Sequence, residues 1–313
     1  MSNRTTSFII TLIGIILLLI GIMAAFMGPV EVYCYYLFTE GGKFHYEGFG
    51  FGSFMFGNIT LQVLGYYIIA IIFIPLGYGH LKKQSWVPKI SLTLLWSWLI
   101  LGIPLTMILL FIIVTTKIPS ILILILIIIF LILSYTILPA FLIKFYRSKS
   151  VQFLLKQDDK KFNIIEKYPI PLLIITSLYL FYIFVFHLLL LYKGIFPFLG
   201  NWLIYLKGFI VITMSILFLV VLIIGTLNKK LWAWWASLIY FCFFTISSII
   251  TLLLSDLSEI ITLLNFPETE TDALINIPLE GIHLSAIFGI PLIITVGVIL
   301  FSRKYFIVLK KAV

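Results

Sequence analysis

Eight long apolar runs follow one another between residues 7 and 302, and no charged side chain lies near the centre of any of them. A surface helix of a soluble protein carries a polar face, whereas these runs are apolar on all sides. About 20 apolar residues are needed to cross roughly 30 Å of hydrocarbon. The pattern therefore predicts an all-α integral membrane protein with about eight transmembrane helices. The predicted spans are residues 7–27, 59–79, 86–115, 118–143, 169–192, 203–227, 231–254 and 282–302.

The amino-acid composition supports the same class. Hydrophobic residues make up 62% of the chain and charged residues 11%, against about 45–50% and about 25% in soluble domains. The first apolar run follows Arg4 and extends from Phe8 to Phe26. A cleaved signal peptide has an apolar core of only about 7–15 residues. We therefore expect this run to be an uncleaved signal-anchor.

Lysine and arginine are unevenly distributed among the predicted loops. With the N-terminus inside, 17 of the 21 basic residues fall in inner segments, and only Lys43, Lys117, Lys193 and Lys207 fall outside. Short cytoplasmic loops carry such an excess of basic residues. Both termini are therefore predicted to be cytoplasmic, with the chain in the cell membrane. The net charge of +9 indicates attraction to anionic lipid headgroups and not a nucleic-acid partner.

Two inner turns have similar sequences. Gly79-His-Leu-Lys-Lys-Gln-Ser-Trp86 follows the second span and Gly225-Thr-Leu-Asn-Lys-Lys-Leu-Trp232 follows the sixth, and six positions in and just after these turns match at a constant offset of 146. Self-similarity at a fixed period indicates an internal repeat. The sequence thus predicts two parallel four-span units, residues 1–156 and 157–313. Alternatively, glycine, lysine and tryptophan are the residues that any inner turn selects.

Two parallel four-span units resemble the architecture of the haem A synthase family, which also has eight spans and a sizeable outer loop after the first. That family holds haem with histidines on its even-numbered spans. In this chain the predicted spans two, four and six contain no histidine, whereas His187 lies on span five and His283 enters span eight. A haem clamped between helices needs axial ligands at such positions, so we expect no bound haem and do not transfer the family's ligands or activity.

The remaining candidate residues for chemistry are few. We expect His45 and His80 to be solvated or interfacial, and His187 to be satisfied by one hydrogen bond to another helix. His283 and Glu280 provide only two ligands, which is too few for a zinc site. Cys34 and Cys242 lie in an outer loop and deep in span seven, and we expect no disulfide between them. We therefore assign no catalytic, cofactor-binding or metal-binding residue.

Two outer loops have unusual compositions. Loop 28–58 is rich in aromatic residues and glycine, which is typical of an aromatic belt with a hairpin on the membrane surface. It could also cap a cavity or dock another membrane subunit. Loop 255–281 is acidic and contains Glu268-Thr-Glu270-Thr-Asp272. These alternating carboxylates could attract a hard cation, but we expect a solvated acidic loop.

The one long inner connection, residues 145–168, mixes basic and apolar residues. Such a stretch is typical of an amphipathic helix that lies on the inner leaflet, and it is too short to form a soluble catalytic domain.

Three functional hypotheses follow from these patterns. The first is a non-catalytic membrane component, such as a subunit of a larger complex, with the lipid bilayer and other membrane subunits as partners. The second is a transporter or facilitator for a small or lipid-like solute, since some transporters consist of parallel repeats. The third is a membrane-embedded enzyme, although the chain contains no histidine-rich or aspartate-rich interfacial motif of the kind that such chemistry needs. The oligomeric state is not predicted.

Overall fold

The structure, a computed structural model, describes residues 3–115, 121–156, 164–277 and 279–307. Within these residues, eight helical segments are long and apolar enough to cross a bilayer. The prediction of an all-α multi-pass membrane protein is confirmed, because the only β-strands in this part of the chain form one short hairpin.

The helices, in chain order, are α1 (Asn3–Phe38), α2 (Phe54–Leu81), α3 (Val87–Thr115), α4 (Ile121–Ile132), α5 (Leu138–Tyr146), α6 (Lys149–Lys156), α7 (Ile170–Leu191), α8 (Tyr205–Leu227), α9 (Leu231–Leu253), α10 (Leu257–Leu264), α11 (Glu268–Leu274), α12 (Gly281–Ser302) and α13 (Lys304–Ile307). A π-helix, Leu133–Ile137, joins α4 to α5 within the fourth span, and a 3-10 turn covers Ile164–Lys167. The hairpin consists of β1 (Phe196–Phe198) and β2 (Asn201–Leu203), paired antiparallel.

Helix α1 is longer than the span predicted from hydropathy. It contains 36 residues, which at about 1.5 Å per residue is about 54 Å, against roughly 30 Å of hydrocarbon. The segment 28–38, which we predicted to begin an outer loop, is therefore a continuation of the helix, and the irregular part of that loop is limited to residues 39–53. Two aromatic side chains of α2 contact this part of α1, Tyr67 at Gly28 and Phe56 at Tyr35.

Glycines at seven-residue spacing allow α1 and α2 to pack closely. A Cβ atom added at Gly14 would lie 3.0 Å from the carbonyl oxygen of Gly77, and one added at Gly21 would lie 2.8 Å from the Ile74 side chain. Gly28 meets the ring of Tyr67 in the same way, at 2.9 Å. A seven-residue repeat keeps one face of a helix toward its partner, and small residues let two backbones approach within a membrane.

The described chain divides into two compact units, Met1–Thr93 with Phe141–Tyr168, and Leu94–Ala140 with Pro169–Val313. In the first unit, α6 contacts α1 and buries Val151 and Leu155 completely. The amphipathic connection therefore directs these apolar side chains toward protein, whereas we expected the inner leaflet to cover them. Residues 157–163 of that connection lie outside the described residues.

The core of the second unit is aromatic. Tyr179 on α7 stacks on Phe241 of α9 with ring centroids 5.4 Å apart. The Tyr182 hydroxyl lies 2.9 Å from the Thr295 hydroxyl of α12. Hydroxyl groups of this kind hold helices together where no water is present to satisfy them. Helices α7, α8, α9 and α12 all contribute buried apolar side chains to this one core, although they are separate spans in the sequence.

The two similar inner turns have the same hydrogen bonds. In the first, the Gln84 N–H donates to the Gly79 carbonyl at 2.9 Å and the Lys83 N–H to the His80 carbonyl at 3.1 Å. In the second, the Lys230 N–H donates to the Gly225 carbonyl and the Lys229 N–H to the Thr226 carbonyl, both at 2.9 Å. This pair of bonds defines the Schellman motif at a helix C-terminus. The proposed duplication into residues 1–156 and 157–313 stays a prediction.

Candidate functional site

All four histidines form hydrogen bonds with the backbone. The Nδ1 atom of His45 lies 3.3 Å from the Phe38 carbonyl, and the Nδ1 atom of His283 accepts the N–H of Glu280 at 3.2 Å. His283 and Glu280 therefore cap the start of α12, since each side chain satisfies a backbone N–H of the first turn. This arrangement is a capping box. The two residues that we considered as metal ligands thus cap the N-terminus of a helix.

The buried histidine is His80, which we expected to be solvated or interfacial. It lies in the last turn of α2 and has no exposed surface. Its Nδ1 atom is 2.7 Å from the Leu76 carbonyl oxygen, and its Nε2 atom is 2.6 Å from the Tyr146 hydroxyl. Because a carbonyl only accepts, Nδ1 donates its proton to the Leu76 carbonyl. Through the Tyr146 hydroxyl at Nε2, the imidazole joins the end of α2 to the end of α5.

Sequence reasoning missed His80 because it ended the second span at residue 79. Helix α2 continues to Leu81 and so does contain a histidine, in contrast to our reading of the even-numbered spans. Both ring nitrogens of His80 are occupied, one by the Leu76 carbonyl and the other by the Tyr146 hydroxyl. Neither nitrogen is therefore available as an axial ligand of a haem iron. The sequence did contain a signal, since the two glycines just before His80, Gly77 and Gly79, are of the kind that lets helices pack closely. Both glycines are buried in the structure.

His187 has the opposite environment. Its side chain is exposed at the surface of the second unit, and its Nδ1 atom is 2.7 Å from the Ile183 carbonyl of its own helix. We expected a hydrogen bond to another helix. The bond instead runs one turn back along α7, and the ring lies on a face that none of the described helices covers. This local bond satisfies one polar atom of the imidazole within its own helix.

Lys193 fixes the acidic segment 255–281 of the second unit. Its ammonium donates to the carbonyl of Leu264 and, at 3.3 Å, to that of Asn265. These carbonyls lie at the C-terminus of α10, where a cation is favoured by the helix dipole. Burial lowers the pKa of Lys193 below its ordinary value. One of the four basic residues on the predicted outer side thus anchors the loop 255–281 from the turn that follows α7.

The acidic segment is also more ordered than we expected. Glu270 lies in α11 and is only 7% exposed. Burial of Tyr192, with the negative charge of Glu270, raises the pKa of Tyr192 to about 12. At the start of α10, Asp256 accepts from the Ser258 hydroxyl and the Glu259 N–H, and these hydrogen bonds hold its pKa below the ordinary value. Among the described residues, no three acidic, histidine or cysteine side chains are grouped as metal ligands.

The β-hairpin between α7 and α8 is held by a row of hydroxyls on α9. The N–H groups of Leu199 and Gly200 donate to Ser247 and Thr251, both at 2.9 Å. The Ser255 hydroxyl, one turn further along the chain, accepts from the Trp202 indole at 2.8 Å. Spacing by four residues places such groups on one helix face. Non-helical backbone near a membrane needs this kind of satisfaction, and here side chains of α9 supply it.

Aromatic side chains at the outer end of α1 and α2 divide into two groups. Around Phe38 the rings pack on one another, with the centroid of Phe49 5.6 Å away. Tyr35 joins the two helices, since its hydroxyl lies 2.5 Å from that of Thr60. The second group faces outward, and Tyr33 and Tyr36 are 57% and 58% exposed. Residues 33–56, which the charge distribution predicts to lie outside and which we call the outer aromatic end, therefore have a packed interior and an apolar exterior.

The chain matches no family model. No curated protein matches it. A search of the solved structures likewise finds no match.

Proposed function

We propose that this protein is a non-catalytic component of the cell membrane, with both termini cytoplasmic, that binds another membrane protein through its outer aromatic end. The observation that carries this proposal is the length of α1, which continues past the span that hydropathy predicts. Residues 28–38 continue the helix by 11 residues, or about 16 Å. The headgroup region adds roughly 5–7 Å to each side of the hydrocarbon, so about 10 Å of helix stands clear of it.

Exposed aromatic side chains on that extension favour a protein partner. Tyr33 and Tyr36 contact each other, with ring centroids 5.6 Å apart, and both are more than half exposed. Phe51, in the adjoining loop, is 64% exposed. Tyrosine and phenylalanine are enriched in the buried centres of protein interfaces. An aromatic belt would serve at headgroup level, but the length of α1 carries these rings beyond that level.

The histidines also support a non-catalytic role. Each of the four has a ring nitrogen bonded to a backbone group, and His80 has both nitrogens occupied. A general acid or base must reach the proton that it transfers. His80, the buried imidazole, uses both ring nitrogens to join two helices and so has none left for proton transfer to a substrate.

The test is purification of the full chain in a mild detergent from its native membrane, followed by identification of stoichiometric partners. We expect one membrane protein to co-migrate with the native chain and to be lost from the variant Tyr33→Ser with Tyr36→Ser. The matched control is Tyr78→Ser, a tyrosine of similar exposure (52%) at the opposite end of α2, which should keep the partner. A chain that migrates alone, or a partner that survives the double substitution, contradicts the proposal.

The hairpin gives a specific reason to consider transport of a lipid-like solute as a second function. Its tip contacts Ser247, six residues before the end of α9 at Leu253, which is about 9 Å along the helix. Irregular backbone at membrane depth lines binding sites in transporters. Reconstitution with a fluorescent phospholipid tests this function. A transporter should move the probe between leaflets faster than empty vesicles do, and Ser247→Val should slow that movement.

A further inference from the structure

The two inner turns share an unusual backbone feature. Lys83 and Lys229 have φ values of +49° and +54°, so both lie in the left-handed region. Each occupies the position that follows the cap in its Schellman motif, which glycine usually fills because it has no Cβ to clash. A lysine held in this conformation is less stable than a glycine would be at the same place. The chain has this arrangement twice, at equivalent positions of its two similar turns.

A tryptophan lies against the helix end in each turn. The ring of Trp86 is 2.7 Å from the position that a Cβ atom of Gly79 would take, and the ring of Trp232 is 2.8 Å from that of Gly225. Glycine is therefore needed one turn before the lysine, where the indole packs on the helix backbone. Tryptophan at the end of a membrane span lies at headgroup level. The indole thus fixes the depth of each turn at the membrane surface.

A second cation stands beside each of these lysines. Lys82 precedes Lys83 and Lys230 follows Lys229, and both neighbours are exposed. Lys82 is directed toward the Tyr78 ring, 5.9 Å from its centroid. Two adjacent ammonium groups at headgroup level attract the phosphate of an anionic lipid, and each contributes to that attraction within a Debye length of the surface.

We propose that each turn binds the headgroup of an anionic phospholipid, with Lys83 and Lys229 as the principal contacts. Lys83 and Lys229 lie just past the helix end, and the tryptophan of the same turn holds the turn at the depth of the lipid phosphate. The need for this charge explains why lysine occupies a position that glycine would fill with less strain. The proposal does not depend on a protein partner.

Thermal unfolding of the purified full chain in uncharged detergent tests this proposal. Phosphatidylglycerol should raise the unfolding midpoint more than phosphatidylcholine does, because a ligand that binds the folded state stabilises it. The double variant Lys83→Asn with Lys229→Asn tolerates the left-handed conformation but lacks both charges. It should lose at least half of the phosphatidylglycerol-specific rise, and Lys83→Arg with Lys229→Arg should restore it.

Two controls separate this site from general charge effects. Lys43→Asn with Lys207→Asn removes two exposed lysines on the predicted outer side and should keep the full rise. Lys83→Gly with Lys229→Gly should raise the midpoint without lipid and lose the lipid-specific rise. An unchanged rise in the asparagine variant overturns the proposal, as does an equal loss in the outer control. A rise of the same size with inorganic phosphate alone would also overturn it, because the site would then not need lipid.

Discussion

Removing either partner of the His80–Tyr146 pair should destabilise the first unit. The Nε2 atom and the hydroxyl are 2.6 Å apart, and the two residues are 0% and 2% exposed. A hydrogen bond between membrane helices contributes about 0.6 kcal/mol on average and about 1.7 at most. A buried polar group left without its partner costs about 1–3 kcal/mol. We therefore expect His80→Leu and Tyr146→Phe each to lower the free energy of unfolding by about 1–3 kcal/mol.

The double variant distinguishes the pair from two separate effects. When both groups are apolar, no polar atom of the pair remains unsatisfied, so the double variant should lose less than the sum of the two single losses by about 1 kcal/mol. The assay is unfolding by a denaturing detergent, followed by tryptophan fluorescence, for the four proteins of a double-mutant cycle. Since independent sites add within about 0.3–0.5 kcal/mol, a coupling no larger than that would refute this reasoning.

A matched cycle provides the control. Tyr182→Phe also removes a buried hydroxyl, which is paired with Thr295 and not with His80. Combined with His80→Leu, it should give additive losses. Coupling of similar size in both cycles would mean that the first cycle reports a general response of the membrane fold and not the His80–Tyr146 bond.

Three further predictions follow from the packing, the exposed histidine and the charge distribution. Gly21→Ala places a methyl group 2.8 Å from the Ile74 side chain and should lower the free energy of unfolding by about 1–3 kcal/mol. The control Gly65→Ala, with no atom within 4 Å of the added methyl group, should leave the free energy of unfolding unchanged or raise it. Equal effects of the two substitutions would contradict the close packing of α1 on α2. His187→Gln should change neither folding nor partner binding, and loss of either would mean that the ring does more than bond to its own helix. In intact cells, a cysteine at position 45 should react with an impermeant thiol reagent and one at position 150 should not, so labelling at 150 from outside would reverse the proposed orientation.

Much of this fold could be predicted from hydropathy because the bilayer imposes a local rule. In lipid, every backbone polar group must be satisfied within its own segment, and only a helix of sufficient length does this for one span. The eight apolar runs therefore specified eight helices with little reference to the rest of the chain. The same rule explains the similar inner turns, since Gly79 and Gly225 lie where a helix ends against a tryptophan, and the resulting hydrogen bonds are local.

The candidate sites could be predicted only in part. The four histidines were visible in the sequence, but their environments were not. His80 was expected to be solvated or interfacial and is buried, whereas His187 was expected to bond to a second helix and bonds to its own. Similarly, Glu270 lies in an acidic segment that we expected to be solvated, yet it is buried beside Tyr192. Each error concerns which face of a helix is covered, and a single uniformly apolar span gives no information about that.

The sequence alone thus determined the class of protein, the number and approximate positions of the spans, and the places where the chain turns. Only the tertiary structure decided how far α1 extends, which histidine is buried and how the hairpin is satisfied by α9. The reason is the solvent. Lipid is as apolar as leucine, so hydropathy distinguishes membrane from water but does not distinguish lipid from a neighbouring helix. That distinction depends on glycines that allow close approach and on hydroxyls that meet a partner from a distant part of the chain.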